Sequence, residues 1–191
     1  MQTDVIFNTD ALSALRGLDD DCVDCIVTSP PYWDLKDYFK AGQIGQEKYP
    51  QYLRRMEQVW RECHRVLKDS GSLWVNINIR SHGGKVILLP RDFVIQCRRL
   101  GFHYKGILIW HKSSGIPTHD KNIVDRHEYV LVFSKETEFQ VDLGRQRAIC
   151  DYQEPEINGG AFWNINRKAG SVGKKYIHPA IYPNQLVGRV V

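Results

Sequence analysis

The 191-residue sequence lacks the long apolar run and the leader that mark membrane and secreted proteins. No apolar stretch approaches the roughly 20 residues that a membrane helix needs. The first residues, MQTDVIF, lack the basic and apolar regions of a secretion signal. With 42% hydrophobic and 25% charged residues, the composition is that of one ordinary globular domain. We therefore expect a cytoplasmic protein with a substantial buried core.

The cysteine content argues against a disulfide framework, because the chain has an odd number, five, and no secretion signal. Cys22 and Cys25 form a CxxC pattern, but a structural zinc site needs a second ligand pair at usable spacing, and the sequence offers none. The histidines are too scattered for a metal site, among them His111, His119 and His127. We predict no metal, with Cys22 and Cys25 acting as small apolar residues beside a buried strand.

No strong excess of one charge identifies a partner. Lys and Arg number 26 against 22 Asp and Glu, which gives a net charge of +4 at pH 7. This mild basicity is compatible with a nucleic-acid partner but does not distinguish one class of protein from another. The evidence for function therefore comes from motifs.

Short apolar runs alternate with helix-period stretches, which predicts an α/β fold with a mostly parallel sheet. Predicted strands lie at 4–7, 23–28, 72–79, 104–110 and 128–133. The strongest helix signal covers 50–69, where apolar residues recur at spacings of three and four and Gly71 follows. Asp10 is placed to cap a helix over 11–18, and a third helix begins at Pro90 and ends at Gly101.

The most informative segment, Thr28 to Trp33 (TSPPYW), directly follows a predicted buried strand. In open α/β sheets, ligand sites form at the carboxyl ends of the strands. Pro30 and Pro31 stiffen the turn, so that the Ser29 hydroxyl and the Pro30 carbonyl become acceptors with a fixed direction. Tyr32 and Trp33 offer flat faces on which a nucleobase stacks.

A rigid pair of acceptors beside an aromatic face suits the exocyclic amine of a base. Such an amine is a poor nucleophile because its lone pair is delocalised into the ring. Two acceptors that hold its protons favour the pyramidal geometry needed for attack on a methyl group. A base inside a duplex cannot reach this pocket, so it has to be flipped out. The alternative is that Pro-Pro-Tyr is only a turn with a packed aromatic residue.

The segment Ser29-Pro30-Pro31-Tyr32 resembles the catalytic motif of the DNA amino-methyltransferases, and the surrounding text is similar to the permuted (beta) class of that family. Further matches follow in the expected order, at Trp110-His111-Lys112, Arg126-His127-Glu128-Tyr129, Phe133-Ser134-Lys135 and His178-Pro179-Ala180. The resemblance implies a Rossmann-like methyltransferase fold, S-adenosylmethionine as cofactor and double-stranded DNA as substrate. Serine in the first motif position favours cytosine over adenine as the methylated base.

The resemblance also assigns roles to residues. Ser29, Pro30, Pro31 and Tyr32 form the catalytic motif and the target-amine pocket. Four residues are assigned to the cofactor pocket: Asp10, Thr28, His178 and Pro179. For Asp10, the role of helix N-cap is an equally good alternative.

Contacts with DNA are predicted for Trp33 and for basic residues in two regions. The first is the loop around 115–117, where Lys112, His119, Lys121 and Arg126 are candidates for phosphate contacts. The second is a polar, Gly-rich stretch that includes Lys174 and Lys175. An ordinary solvated loop is the alternative for the first region. We divide the chain into a catalytic core (1–135), a variable region that is a candidate for target recognition (136–176) and a segment that flanks the cofactor pocket (177–191).

The sequence contains no turn of the form D-P-F-x-G-S-G, which holds the methyl donor in this family. The family's sheet order is 3-2-1-4-5-7-6. By the resemblance, residues 4–7 supply the family's strand 3, and the later predicted strands supply its strands 4 to 7. The fold therefore lacks two central strands, the family's strands 1 and 2. We therefore expect the first strand to lack a partner and the strand 23–28 to have an open edge. One of three situations then follows: a second chain completes the fold, the chain is a truncated gene product, or the first strand repacks. Alternatives are a non-catalytic DNA-binding remnant and a methyltransferase that acts on RNA or protein.

Overall fold

The computed structural model of the protein describes residues 4–112, 126–138, 161–166 and 183–191. The strands in these residues are β1 (Val23–Thr28), β2 (Leu67–Ile77), β3 (Arg80–His82), β4 (Lys85–Ile87), β5 (His103–His111), β6 (His127–Ser134) and β7 (Phe162–Asn164). The helices are α1 (Ala11–Arg16), α2 (Tyr49–Val66), α3 (Leu89–Arg99) and α4 (Asn184–Gly188).

The main sheet has the strand order β1-β2-β6-β5-β7. β1 pairs with β2 in parallel, whereas β6 runs antiparallel to both β2 and β5. β1, β2 and β5 therefore point in one direction, with β6 reversed between β2 and β5. This arrangement confirms the predicted mostly parallel α/β sheet, and it matches the order 4-5-7-6 that the resemblance implies.

Helix α2 confirms the strongest helix prediction but ends earlier than the pattern indicates. Its buried stripe is Tyr52, Met56, Val59, Trp60, Cys63 and Val66. The helix stops at Val66 rather than at position 69, because Leu67 is extended and pairs with Val23 of β1. Gly71 lies inside β2, where a Cβ atom would come within 2.8 Å of the Lys68 carbonyl oxygen. Glycine is thus required here by close backbone approach and not as a helix cap.

Helix α3 is confirmed, with Pro90 in its first turn, Phe93 and Cys97 buried, and Gly101 at a φ of 103° after its end. The antiparallel hairpin of β3 and β4 was not predicted. Its turn is the Gly-Gly pair at 83–84, which has positive φ angles. Two glycines between short runs are a hairpin signal.

The prediction of a strand at 4–7 is wrong. Residues 4–10 contain no strand, and Ile6 and Phe7 are 95% and 58% exposed. An isolated strand leaves its backbone N–H and C=O groups without partners, and β1 is the edge of the described sheet. The helix that follows is confirmed, because the Asp10 carboxylate accepts a 3.1 Å hydrogen bond from the Ser13 backbone N–H.

Apolar side chains fill both faces of the sheet. On the side that α2 and α3 cover, here called the helical face, the core includes Tyr52, Trp60, Leu73, Phe93 and Phe133. The opposite face buries Trp74, Trp110, Trp163, Ile165 and Leu186. The sheet is therefore packed on both sides. None of the helices in the described ranges is long and apolar enough to cross a membrane.

Candidate active site

Polar residues at or near the tips of four strands lie together along one edge of the main sheet, where strands end or begin. β1, β2 and β5 end at this edge, and β6 begins there because it is antiparallel to its neighbours. The edge, here called the strand-tip edge, therefore brings together Ser29 to Tyr32 after β1, Asn76 near the end of β2, Lys112 after β5 and Glu128 at the start of β6.

The turn at Ser29 to Tyr32, here called the proline corner, is anchored to the helical face. The hydroxyl of Tyr52, a fully buried residue of α2, donates a 2.6 Å hydrogen bond to the Pro31 carbonyl oxygen. Pro30 is buried, and Ser29 is half-buried. The turn is thus fixed both by its two prolines and by a tether to the neighbouring helix. Its position after a strand, as the sequence indicates, makes it a rigid part of the strand-tip edge.

Five polar side chains of this edge form one hydrogen-bonded network. The Asn76 amide nitrogen lies 2.9 Å from the Tyr32 hydroxyl, 2.6 Å from Glu128 Oε2 and 3.4 Å from Ser29 Oγ. The Tyr32 hydroxyl donates to the same Glu128 oxygen at 2.5 Å. Lys112 Nζ donates to the other carboxylate oxygen. Three other segments of the chain, from β2, after β5 and from β6, thus converge on the proline corner.

Burial controls the charge of this network. Burial, followed by the negative charge of Glu128, raises the pKa of Tyr32 well above its ordinary value. Tyr32 is therefore a neutral donor at physiological pH. The side chains of Lys112 and Glu128 are only 20% and 14% exposed, so their ion pair is weakly screened by salt.

Trp33 does not present its ring to solvent, since it is only 8% exposed. Its indole N–H donates a 2.8 Å hydrogen bond to the Glu47 carbonyl oxygen, and its ring lies against Tyr49 and His82. A Cβ atom on Gly45 would come within 2.4 Å of the Trp33 carbonyl oxygen, so glycine is needed there. This placement makes Trp33 part of the loop's packing. The predicted contact of Trp33 with DNA stays a prediction that the packing does not support.

Two of the residues assigned to the cofactor lie within the described part of the chain. Asp10 is exposed at the start of α1, where its hydrogen bond to Ser13 lowers the pKa of its carboxyl group. Thr28 is half-buried at the end of β1 and pairs with Val75 of β2. Asp10 thus fills its alternative role as N-cap. The cofactor contacts of Asp10 and Thr28 stay predictions.

The residues predicted to contact DNA phosphates are separated by the structure. Lys112 pairs with Glu128 inside the network, whereas Arg126 is exposed. The Arg126 carbonyl oxygen accepts a 2.7 Å hydrogen bond from the Lys112 backbone N–H. Arg126 is open to solvent and Lys112 is engaged in an ion pair, and the DNA contacts of both residues stay predictions. The remaining predicted residues lie outside the described residues: His119, Lys121, Lys174, Lys175, His178 and Pro179.

Asn76 and Glu128 were missed as site residues. The signal for Asn76 was a polar side chain within the apolar run SLWVNINI, and it is 4% exposed. The signal for Glu128 was an acidic residue at the head of the apolar run EYVLVF. Buried polar residues in apolar strands need partners, which is why they mark this site. Within the described ranges, no group of three or more His, Cys, Asp or Glu residues is arranged to hold a metal ion.

Comparison with known proteins decides the family. The family model described as DNA methylase, covering N6 and N4 methylation, matches residues 23–191. The chain belongs to this DNA methylase family. The predicted resemblance to the amino-methylating DNA methyltransferases is therefore confirmed.

Two relatives show how far the similarity extends. The chain is 31% identical to the type II methyltransferase M.XycI of Xanthomonas campestris pv. cyanopsidis, over 95% of this chain and 69% of that protein. It is 30% identical to the type II methyltransferase M.SmaI of Serratia marcescens, over 93% of this chain and 70% of that protein. The similarity thus covers nearly all of this methylase and about two thirds of each of these two relatives.

Solved structures support the Rossmann-like methyltransferase fold. A DNA modification methylase from Thermus thermophilus, complexed with S-adenosyl-L-methionine, aligns with a TM-score of 0.62 and 26% identity, over 95% of this chain and 70% of that chain. The PvuII DNA methyltransferase (cytosine-N4-specific) aligns with a TM-score of 0.70 and 17% identity, over 93% of this chain and 65% of that chain. The predicted fold class is confirmed.

S-adenosylmethionine is the methyl donor of this family. The carboxylate of Asp10 and the hydroxyl of Thr28 are chemically suited to hydrogen-bond a donor that carries hydroxyls and an ammonium group, and their contacts with it stay predictions. Thr28 ends β1, an edge strand of the described sheet, and Asp10 precedes α1.

Proposed function

We propose that this methylase transfers a methyl group to the exocyclic amine of a flipped-out base in duplex DNA, with cytosine as the favoured base. The observation that carries the proposal is the proline corner at the strand-tip edge. Tyr52 tethers its Pro31 carbonyl on one side, and the Tyr32 hydroxyl is held in the polar network on the other. A turn fixed at both ends gives its hydroxyl and carbonyl acceptors a constant direction.

The corner acts by orienting the amine. Ser29 Oγ and the Pro30 carbonyl oxygen each accept one amine proton, which draws the nitrogen toward pyramidal geometry and localises its lone pair. The Tyr32 ring stacks on the base and holds it in plane. When bound, S-adenosylmethionine would supply the electrophilic methyl group from its sulfonium sulfur; the bond between that sulfur and the methyl carbon would break and leave the neutral thioether S-adenosylhomocysteine. As the new N–C bond forms, the amine gives up one proton to solvent along one of these hydrogen bonds, so no strong base is needed.

Cytosine is favoured because serine occupies the first position of the motif. Adenine is the alternative. Flipping is part of the proposal because a paired base keeps its amine inside the duplex, out of reach of a half-buried hydroxyl such as that of Ser29. Arg126 is exposed beside the site and is proposed to contact a phosphate, together with the basic residues of the region 136–176, which we propose reads the target sequence.

Donor binding is proposed to need a Gly-rich segment, supplied by a second chain or by a further segment of the same protein. The sequence contains no D-P-F-x-G-S-G turn. β1 also forms an edge of the described sheet, and Ile6 and Phe7, which precede it in the chain, are exposed. An open apolar edge favours pairing with another strand. On this proposal Asp10 and Thr28 complete a site whose other side comes from the added segment.

The test is transfer of a labelled methyl group from S-adenosylmethionine to duplex DNA. The chain is assayed alone and with the Gly-rich segment of a relative, and the product nucleosides are identified by mass spectrometry. We expect N4-methylcytosine with the added segment, little or no product without it, and loss of activity by at least about a thousandfold in Tyr32→Ala, which removes both stacking and the network contact.

Tyr104→Ala is the matched control, because Tyr104 is a partly exposed tyrosine near the start of β5, at the end of the strands that is opposite to the strand-tip edge. It should keep full activity. Unchanged transfer in Tyr32→Ala would refute the stacking role. Label that enters only RNA or protein, or salt-dependent DNA binding with no transfer in any combination, would favour the alternatives of another substrate or a non-catalytic binding protein.

A further inference from the structure

The Glu128 carboxylate has no direct role in the proposed chemistry, yet it accepts hydrogen bonds from three side chains. Its carboxylate accepts from the Tyr32 hydroxyl at 2.5 Å, from the Asn76 amide nitrogen at 2.6 Å and from Lys112 Nζ. These donors come from the segments that follow β1 and β5 and from β2, positions that are far apart in the chain. Glu128 is therefore the group that joins the strand tips to one another.

The carboxylate also decides which way the Asn76 amide faces. A carboxylate only accepts hydrogen bonds, so the amide nitrogen and not the amide oxygen must face Glu128. The same nitrogen contacts the Tyr32 hydroxyl and approaches Ser29 Oγ. Asn76 Oδ1 is consequently turned away from Glu128, and it is a buried acceptor without a hydrogen-bond partner among the described residues. An unpaired buried acceptor is costly unless a donor enters the site.

Lys112 makes this arrangement electrically acceptable. A buried carboxylate without a cation carries a large desolvation penalty. With Lys112 on one oxygen, the other oxygen of Glu128 stays an acceptor for Tyr32 and Asn76, and the site gains no net charge. Lys112 thus pairs with Glu128 as a member of the network.

We propose that Glu128, neutralised by Lys112, is the positioning residue of the site: it holds the Tyr32 ring and the Asn76 amide in the orientation that receives the target base. The proposal deepens the proposed function and rests on it for its kinetic consequences. Its structural content, the dependence of Tyr32 and Asn76 on Glu128, stands independently of methyl transfer.

The first test reads position without any activity. The full 191-residue chain is labelled with fluorotyrosine for ¹⁹F NMR and with ¹⁵N for side-chain amide spectra, and Tyr32→Phe and Asn76→Ser assign the two resonances. In Glu128→Gln we expect both resonances to shift and broaden, because the acceptor that orients both groups is lost. The matched control is Asp92→Asn, which removes the acceptor of another 2.5 Å tyrosine hydrogen bond, from Tyr49, and should leave both resonances in place.

The second test is a double-mutant cycle on methyl transfer. Tyr32→Phe and Glu128→Gln are each expected to lower kcat by about 10- to 100-fold with little change in KM, since the first removes the donor and the second the charged acceptor of the hydrogen bond between them. The double variant should lose about as much as either single variant, not the product of the two losses. Glu128→Asp keeps the charge but is one methylene shorter, so a positioning role predicts that it fails to restore kcat.

The outcomes separate the two proposals. Unmoved Tyr32 and Asn76 resonances in Glu128→Gln, or independent losses in the cycle, would overturn the positioning role. Shifted resonances in a protein that transfers no methyl group under any condition would uphold positioning and refute the proposed function. If Glu128→Gln does not fold, Lys112→Met serves in its place. Resonances of Tyr32 and Asn76 that stay unmoved in Lys112→Met would equally contradict the proposal.

Discussion

The helical face and the strand-tip edge of this methylase each contain a tyrosine that donates a 2.5 Å hydrogen bond to a carboxylate. On the helical face, Tyr49 of α2 donates to Asp92 of α3. At the strand-tip edge, Tyr32 donates to Glu128 of β6. The two hydrogen bonds are alike in length and chemistry, and both join segments that are distant in sequence.

The surroundings of the two pairs differ. Among the described residues, the Asp92 carboxylate has one further side-chain partner, the exposed Arg91, whose guanidinium lies 3.1 Å away. Glu128 also binds Asn76 and Lys112, and a buried acceptor of Asn76 is left unpaired among the described residues. A single side-chain hydrogen bond therefore does not identify a site. A site is identified where several buried polar groups converge and one of them keeps an unpaired hydrogen-bonding atom.

The largest expected effect concerns the core of the helical face. Trp60 is fully buried and meets Phe93 at a centroid distance of 5.1 Å. Trp60→Ala leaves a large cavity and is expected to lower the free energy of unfolding by about 3–5 kcal/mol. Urea denaturation measures this change. Arg61→Ala, on the exposed side of the same helix, should change it by less than about 0.5 kcal/mol. Equal effects of the two substitutions would contradict the assignment of the core.

The intermediate effect separates the two tyrosines. Tyr49→Phe removes one partly buried hydrogen bond and should lower the free energy of unfolding by about 1 kcal/mol, with methyl transfer unchanged. Tyr32→Phe should instead reduce kcat. The comparison requires both denaturation curves and both rates. A Tyr49→Phe variant that loses transfer as severely as Tyr32→Phe would erase the distinction between the two regions.

The smallest effect is a pH dependence on the helical face. Burial, followed by the charge of Lys135, lowers the pKa of His64 below its ordinary 6.5. The folded protein thus binds this proton less readily than the unfolded chain. The contribution of His64 to the free energy of unfolding is therefore complete above about pH 6.5. It decreases as the pH falls toward the pKa of His64 in the folded protein. Because His64 is partly exposed, the loss should stay below about 1 kcal/mol. His64→Gln should flatten the stability profile between about pH 7 and 5, and an unchanged slope would exclude His64 as its source.

The sequence determined the features that depend on local pattern. The apolar stripe of α2 and the Pro90 and Gly101 boundaries of α3 follow from helix periodicity and from backbone chemistry within a few residues. The position of Ser29 to Tyr32 after a strand likewise needs only neighbouring residues. The family resemblance rests on these same local motifs.

Only the tertiary structure decided which groups meet. Tyr32 and Glu128 are 96 positions apart in the chain, and their contact depends on β6 entering the sheet between β2 and β5. The burial of Trp33 and the absence of a strand at 4–7 have the same origin, because a side chain's exposure and a strand's pairing depend on distant neighbours. Local pattern fixes which backbone conformation a segment prefers. Long-range packing fixes what that segment touches, and in this protein the contacts between strand tips form the candidate site.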